Sequence, residues 1–401
     1  MTDTGGTIIR IAARGDGVTA DGRHAAMAAP GDWLDNNGVL QPVPHRQSPP
    51  CRHFPRCGGC QLQHVDDSAY LAYLGDRVIG ALAAHDLVPG QLRTPYLSPR
   101  RTRRRAALKA QRMGKDVLLG FNEGRSHKIV DMKQCDVLAP ELFALIAPLR
   151  RLLAVLMGKR SIASVTLTLA DQGVDVLLSG VEAEGLDAHD ALLDFAGGQR
   201  LARLAIDAGD GPEDRWAPEP VTITLGAVPV PLPHGAFLQA TADGEAQLVA
   251  AVREIAGDAA NIVDLFSGLG TFSFALSDGR NVTAVEAARD AMLAQQGASN
   301  RHHRAIKGDH RDLYRRPLTA KELAAFDCAV LDPPRAGAEE QVRELAQSVV
   351  PVIAYVSCNP ASFARDAALL VAGGYRIDWV QPVGQFRWST HLELVARLSR
   401  T

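Results

Sequence analysis

The alternation of apolar and polar positions divides the chain into three stretches. Residues 1–45 set short apolar runs between Gly and Asp, as in GDGVTADGRHAAMAAPGDWL. Such runs predict a small β unit of short strands and tight turns. A proline-rich link, PVPHRQSPP, follows. Residues 66–90 predict a helix, and 96–235 a mixture of strands and helices. Within that mixture Leu149–Met157 predicts a helix with Pro148 at its start, and Ser164–Leu169 with Val174–Ser179 predicts a strand pair. From about residue 236 the pattern becomes regular. NIVDLF, NVTAVE, AIKGD, DCAVLD and PVIAYVSC are apolar runs that end in polar residues or a turn, mostly separated by helical stretches. That alternation predicts a parallel sheet covered by helices. YRIDWVQPVG and LELVARL have no clear helix between them and predict a hairpin at the sheet edge. The expected units are 1–45, 46–235 (a mixed α+β central domain) and 236–401 (an α/β domain with a Rossmann-like sheet).

Composition narrows the function only slightly. A chain of 401 residues with 46% hydrophobic content suits two or three domains with sizeable cores. The formal net charge of -2 gives no bulk signal for a nucleic acid, so that case must come from local patches. No stretch is apolar enough to span a membrane, and MTDTGGTIIR lacks the marks of a secretory signal. A cytoplasmic location with reduced thiols is expected. The six cysteines are then ligands, nucleophiles or core residues rather than disulfides.

Ligands of parallel α/β sheets sit beyond the carboxyl ends of the strands, so the polar residues ending each run are the first candidates for chemistry. DLFSGLGTFSFALS predicts a strand ending at Phe266, a Gly turn, and a helix from about Thr271. Gly268 and Gly270 let the backbone approach a ligand closely. The next runs end in Glu286, Asp309 and Asp332. An acid such as Glu286, about twenty residues after the Gly turn, suits a ribose diol. Any one of these acids alone would be an ordinary helix cap. As a series at successive strand ends they resemble the class I methyltransferase fold, in which the acid after the second strand binds the ribose of S-adenosyl-L-methionine.

VSCNP places Cys358 at the end of the fifth strand, and HLELV places Glu393 near the start of the last. C5 of uracil is too weakly nucleophilic to attack a methyl donor. A thiolate adding to C6 makes C5 reactive, and a base must then remove the C5 proton so that the thiolate can leave. Cys358, Glu393, Asp332 and Gln239 are the residue types such chemistry needs. Cys328, inside an apolar strand, reads as a core thiol.

Two further clusters stand outside this domain. CRHFPRCGGCQLQH spaces Cys51, Cys57 and Cys60 as C-x5-C-x2-C, and Cys135 follows in KQCDVLAP. Four thiolates suit a [4Fe–4S] cluster or a structural zinc, and spacing alone does not choose between them. The spacing differs from the C-x3-C-x2-C of radical S-adenosylmethionine enzymes. SPRRTRRRAALKAQRMGK holds Arg100, Arg101, Arg103, Arg104, Arg105, Lys109, Arg112 and Lys115 with no acid among them. Such density on a near-neutral protein is a local electrostatic footprint for the phosphates of RNA, although in a strand alternate arginines would point to opposite faces and not all would touch it.

Phe237–Gln239 (Phe-x-Gln), DLFSGLGTFS, VEAA, LDPPRAG, VSCNP and HLELV, in this order, resemble the RNA uracil-C5 methyltransferase family across 236–401. The resemblance implies Cys358 as nucleophile and Glu393 as proton-abstracting base. It implies Gln239, Phe266, Thr271, Glu286 and Asp332 as positions touching cofactor or substrate. The family often has Asn two residues after the Gln, where this chain has Thr241. CGGCQLQH resembles the cluster-binding segment of the branch acting on 23S ribosomal RNA. That resemblance implies a [4Fe–4S] cluster on Cys51, Cys57, Cys60 and Cys135. The N-terminal stretch resembles the start of a TRAM domain, a small RNA-binding barrel, with residues 34–50 leaving too little room for its usual remaining strands.

The expected partner is a structured RNA, ribosomal favoured over transfer RNA, with no membrane and no obligate protein partner. The rival readings are the same reaction on tRNA, a catalytically inactive RNA-binding iron–sulfur protein, a cysteine-dependent methyltransferase acting on DNA or a small molecule, and an amino-directed methyltransferase.

Overall fold

At the N-terminus, Gly and Asp turns cut the chain into five short strands: β1 (Gly6–Ile11), β2 (Gly17–Thr19), β3 (His24–Ala25), β4 (Trp33–Leu34) and β5 (Leu40–Gln41). The computed structural model describes residues 5–42 and 45–400. The strands pair antiparallel in the order β3-β2-β1-β4-β5 around Ile8, Ala28 and Leu34. Among the described residues of 34–50, where too little room for the usual remaining strands was expected, one short strand, β5, lies wholly within the span. The turn between β4 and β5 is compact because Asp35 Oδ1 accepts the N–H groups of Asn37 and Val39, each at 2.8 Å, and Gly38 adopts φ +79°.

Helix α1 (Asp67–Ala83) is capped by Asp66, whose carboxylate accepts the Ala69 N–H at 2.8 Å. It ends earlier than the expected residue 90, because the chain turns at Asp86 (φ +56°) and Gly90 N bonds Ile377 O at 2.9 Å. A Cβ at Gly90 would lie 2.7 Å from Asp378 O, so a glycine lets the chain run this close. It then forms β6 (Tyr96–Leu97).

The central sheet consists of β7 (Arg105–Met113), β8 (Asp116–Gly120), β9 (Ile162–Ala170), β10 (Gly173–Ser179), β11 (Arg203–Asp207) and β12 (Pro212–Trp216), in the order β12-β11-β10-β9-β7-β8. Helices α2 (Pro140–Ala144), α3 (Ile146–Leu156) and α4 (Leu186–Gly198) complete this domain. The predicted strand pair is the antiparallel β9–β10, with Leu169 opposite Val174. The predicted helix begins earlier than Pro148, at Ile146, and the proline sits in its first turn, where no intrahelical N–H is needed.

A hairpin, β13 (Thr222–Leu225) and β14 (Val228–Pro231), leads into the C-terminal domain. There α5 (Ala242–Ala256), β15 (Asn261–Leu265), α6 (Thr271–Leu276), β16 (Asn281–Glu286), α7 (Arg289–Arg301), β17 (Ile306–His310), α8 (Ala320–Leu323), β18 (Cys328–Leu331), α9 (Glu339–Gln347), β19 (Val352–Ser357), α10 (Pro360–Ala372), β20 (Tyr375–Gly384) and β21 (Glu393–Arg400) follow in sequence. The sheet order is β17-β16-β15-β18-β19-β21-β20-β6. Strands β15 to β19 are parallel and β21 antiparallel. The strand order reverses between β15 and β18, the place where such sheets open a ligand crevice. The predicted terminal hairpin is present, but β6 lies outside it and forms the edge.

Packing cuts the chain differently from the boundaries at 45/46 and 235/236. Tyr70, Tyr73, Leu74, Val78 and Leu82 of α1 share one apolar cluster with Ile353, Val380, Leu394 and Ala396 of the C-terminal sheet. The β13–β14 hairpin buries Ile223, Leu225, Val228 and Val230 on the opposite face of that sheet. Among the described residues no helix is long and apolar enough to cross a membrane.

Candidate active site and thiol site

Strand ends gather the chemistry in one cleft of about 1650 Å³, lined by Phe266, Thr271, Glu286, Asp332, Cys358 and Glu393 among others. Strand β21 runs antiparallel to β19 with Ser357 opposite Leu394, so Cys358, just past β19, and Glu393, the first residue of β21, come to the same end of the sheet. The two residues are 35 positions apart in sequence but line the same cleft for this reason. The VSCNP turn is fixed at both ends. Asn359 caps α10 by accepting the Ala361 N–H at 3.2 Å, Pro360 takes the first helical position, and Asn359 Nδ2 donates to Arg335 O at 3.0 Å. The last bond locks the turn to the DPPR loop that carries Asp332.

Burial and two neighbouring acids, Glu393 and Asp332, push the Cys358 thiol up to about 11, opposed by the Arg335 guanidinium. Glu393 is 2% exposed. Burial holds its proton affinity well above the ordinary carboxylate range, Asp332 adds to this, and a hydrogen bond from Gln385 opposes it. Burial also pushes Asp332 up to about 7, with Asp264 adding to the shift. Only the thiolate reacts with alkylating agents. Cys358 of the free protein is therefore expected to react with iodoacetamide about 100-fold more slowly at pH 8 than an ordinary thiol titrating near 9. Its rate should climb about tenfold per pH unit to around pH 10; a plateau near pH 9 would contradict this environment.

Gln239 does not line the cleft. It is buried behind Asp332, donating from Nε2 to Asp332 Oδ2 at 3.2 Å. Thr241 is the N-cap of α5. Its hydroxyl accepts the Gly244 N–H at 3.1 Å and lies 3.0 Å from Ser98 Oγ.

The Gly turn after β15 is strained toward the cleft. Phe266 has φ +64°, a region bulky residues rarely occupy, and its ring meets Tyr314 at 5.5 Å. Gly270 has φ +93°, and a Cβ there would collide with Gln295 and with Phe274 at 3.0 Å. Glu286 holds the turn: its two oxygens accept Gly268 N–H at 2.9 Å and Ala288 N–H at 2.7 Å. A carboxylate keeps further lone pairs after two such bonds, so it can still receive the hydroxyls of a diol. Asp309 does not line the cleft. It lies 3.7 Å from Arg311, which does.

The basic run is largely used within the protein. Arg104 is buried, donates to Gln239 O at 3.0 Å and pairs with Glu245 at 2.6 Å. Arg101 pairs with Asp136 at 3.0 Å, and Arg105 bonds Gly235 O at 2.9 Å. Of the run, Arg103 lines the cleft, over Phe386 at 5.6 Å. The remaining cleft arginines come from all three parts of the chain: Arg14, Arg125, Arg289, Arg311 and Arg335. Single arginines scattered over the sequence gave no signal of this convergence. Burial raises Glu245 even with Arg104 beside it, so removing the cation strands a buried acid. Arg104→Ala is expected to cost about 3 kcal/mol, read as a lower urea midpoint at unchanged slope; an unchanged midpoint would rule out this structural role.

Cys51, Cys57, Cys60 and Cys135, all free thiols, line a second, small cavity with Phe54, Phe121 and Met132. The sequence-distant Cys135 is thereby brought to the other three. Burial pushes Cys60 up to about 12, with the other three thiols adding to the shift. Gly58 permits the wrap, since a Cβ there would lie 2.8 Å from Asn122 O. Among the described residues no group of three or more His, Cys, Asp or Glu is arranged to hold a metal ion. Four thiols converge on this one cavity, and burial favours their protonated form. Trp388 packs beside Cys60 with its indole N–H buried and unpartnered, and its carbonyl accepts the N–H groups of Gln61 and Leu62 at 2.8 and 2.9 Å. The thiol segment is thus bonded to the loop that precedes Glu393.

A doubly wound sheet closed by an antiparallel terminal hairpin, with a Gly turn, a strand-end acid and polar strand ends on one cleft, defines the class I methyltransferases. A family described as tRNA (Uracil-5-)-methyltransferase matches residues 230–401. An uncharacterised RNA methyltransferase of Zymomonas mobilis is 48% identical, covering 98% of this chain and 99% of that protein. The 23S rRNA (uracil(1939)-C(5))-methyltransferase of Pectobacterium atrosepticum is 33% identical over 89% of this chain and 81% of its own. The crystal structure of the Pyrococcus abyssi tRNA (uracil-54, C5)-methyltransferase with S-adenosyl-L-homocysteine shares the fold, with TM-score 0.76, 23% identity and coverage of 99% and 100%. The chain belongs to the RNA (uracil-5-)-methyltransferase family.

Proposed function

We propose that this protein methylates C5 of a uridine in RNA through a covalent adduct between Cys358 and C6. The observation that carries the reading is that Cys358, just past β19, and Glu393, the first residue of β21, line one carboxyl-end cleft with Asp332. Cys358 Sγ bonds to C6 of the uracil, and the ring's electrons move onto C5. S-adenosyl-L-methionine supplies the methyl group that C5 takes. Glu393 then removes the C5 proton, the double bond re-forms, and the bond from sulfur to C6 breaks. The high proton affinity of buried Glu393 suits a proton acceptor. Arg335, the guanidinium that opposes the acids at Cys358, favours the thiolate.

Glu286, with lone pairs left on both oxygens, suits the cofactor's ribose, and Phe266 and Thr271 flank the same turn. A target uridine must leave its stack to reach Cys358. Phe237, 65% exposed on the cleft wall, offers a stacking face for it, and the cleft arginines suit the adjoining phosphates.

Ribosomal RNA is the favoured substrate, supported by the four-thiol site and the likeness to the Pectobacterium enzyme; tRNA is the alternative. The test is transfer of labelled methyl groups from S-adenosyl-L-methionine to unmodified 23S rRNA and tRNA, with nucleoside analysis. 5-Methyluridine in rRNA supports the reading, in tRNA alone it moves the substrate, and in neither it removes the activity. Cys51, Cys57, Cys60 and Cys135 would hold a [4Fe–4S] cluster with a structural role, tying the central domain to the loop at Trp388. Anaerobically purified protein is expected to be brown with about four irons per chain; colourless protein loaded with zinc would overturn the cluster.

A further inference from the structure

Tyr314, four residues past β17, belongs to none of the motifs in the sequence, yet its side chain joins two sides of the cleft. The residue is 42% exposed and lines the cleft, and its ring packs 5.5 Å from that of Phe266 on the Gly turn. Its hydroxyl donates to Gly337 O at 2.9 Å, in the loop that carries Asp332 and Arg335. Strands β17 and β18 lie on opposite sides of the point where the strand order reverses. This one hydrogen bond therefore links the loops on the two sides of the ligand crevice.

The Tyr314 side is tied to the turn that suits the cofactor. The Arg311 N–H donates to Glu286 O at 3.0 Å, and Asp312 Oδ1 accepts the Tyr314 N–H at 3.0 Å. Glu286 in turn holds the Gly turn through its carboxylate. On the other side, three successive carbonyls of the Asp332 loop each accept a side chain. Asn359 Nδ2 reaches Arg335 O and Arg365 Nη2 reaches Ala336 O, each at 3.0 Å, and Tyr314 reaches Gly337 O. Asn359 caps α10 and Arg365 lies within it, so of these three only Tyr314 comes from the cofactor side. Gly337 has φ +84°, and a Cβ there would lie 2.6 Å from Arg365 Nη2 and Asp366 Oδ2. Glycine lets the loop follow this path and offer its carbonyl to the phenol.

A half-exposed phenol has two states: bonded to Gly337 O, or turned out with water on its hydroxyl. A cofactor held against Phe266 fills the space beside the ring and favours the bonded state. A uridine and phosphate that meet Asp332 and Arg335 favour the loop position which that state fixes. Two ligands that favour the same state strengthen each other's binding.

We propose that Tyr314 is a positioning residue that couples the two halves of the cleft: through its bond to Gly337, occupancy of the cofactor turn sets the loop that presents Asp332 and Arg335 to RNA. The inference rests on the uracil-C5 reading above.

Tyr314→Phe keeps the ring against Phe266 and removes the hydroxyl alone. The measurement is a pair of dissociation constants, for S-adenosyl-L-homocysteine and for unmodified RNA, each with and without the other ligand. The RNA is 23S rRNA or tRNA, whichever gains 5-methyluridine. In the wild type, S-adenosyl-L-homocysteine should tighten RNA binding about tenfold, and RNA should tighten S-adenosyl-L-homocysteine binding by the same factor, because linkage is reciprocal. In Tyr314→Phe, affinity for S-adenosyl-L-homocysteine without RNA should stay within about twofold of wild type, while the mutual tightening falls to about twofold or less. A hydroxyl that served stability alone would lower the melting temperature and leave the coupling factor unchanged. Absence of coupling in the wild type, or the full coupling factor in the variant, would overturn the proposal. Failure of the underlying reading looks different: no RNA gains 5-methyluridine, or S-adenosyl-L-homocysteine does not bind the wild type, and this inference falls with it.

Discussion

Cys358→Ala is expected to lower methyl transfer by on the order of 10⁴-fold or more, to the limit of detection. The size follows from the chemistry: without sulfur on C6, nothing at the cleft makes C5 nucleophilic. The variant should keep its fold, because Cys358 is partly exposed and the turn is held by Asn359 and Pro360 rather than by the thiol. Its affinity for S-adenosyl-L-methionine, measured by calorimetry, should be close to wild type. Rates of 5-methyluridine formation are the readout, and retained turnover would sink the covalent route.

Glu393→Gln should stop the reaction one step later. On the proposed route sulfur addition and methyl transfer precede proton removal, so the variant is expected to build up a methylated protein–RNA adduct that survives denaturing gels. Release should fall by about 10²- to 10⁴-fold, the usual contribution of a positioned base. The substitution is nearly isosteric in a fully buried position, which limits packing damage. Loss of turnover with no adduct would assign Glu393 a role before the methyl transfer and would require another base.

The parts of this molecule visible in the sequence are those with a local cause. The strand–Gly turn–helix of residues 261–276 and the VSCNP turn are written in adjacent residues: Gly270 for the left-handed turn, Asn359 for the cap, Pro360 for the first helical position. The spacing of Cys51, Cys57 and Cys60 is also local, and Cys135 joins them through the resemblance. What sequence could not give depends on register and long-range packing. Glu393 lies opposite Val383 only because β20 and β21 pair in one register. Arg104 belongs to a basic run by composition, and its ion pair with Glu245 depends on how the central domain docks on α5. The strands β4 and β5 are too short for periodicity to reveal, and an Asp35 turn holds them. Chain order groups helix α1 with the central stretch, whereas its apolar face fits the C-terminal sheet.

That last placement has a consequence for how the protein is made. Helix α1 and strand β6 leave the ribosome well before β19, β20 and β21, the strands they pack on or extend. Until those strands exist, Tyr70, Leu74, Val78 and Leu82 lack most of the surface they pack on, and an apolar helix in this condition is a target for aggregation or chaperone capture. The central domain, which has its own core, can fold in the meantime. Assembly therefore closes with a docking step in which the β20–β21 hairpin completes the sheet, shelters the waiting helix and delivers Glu393 to the cleft. A nascent chain stopped short of that hairpin lacks the proposed base and leaves the apolar face of α1 short of its packing surface.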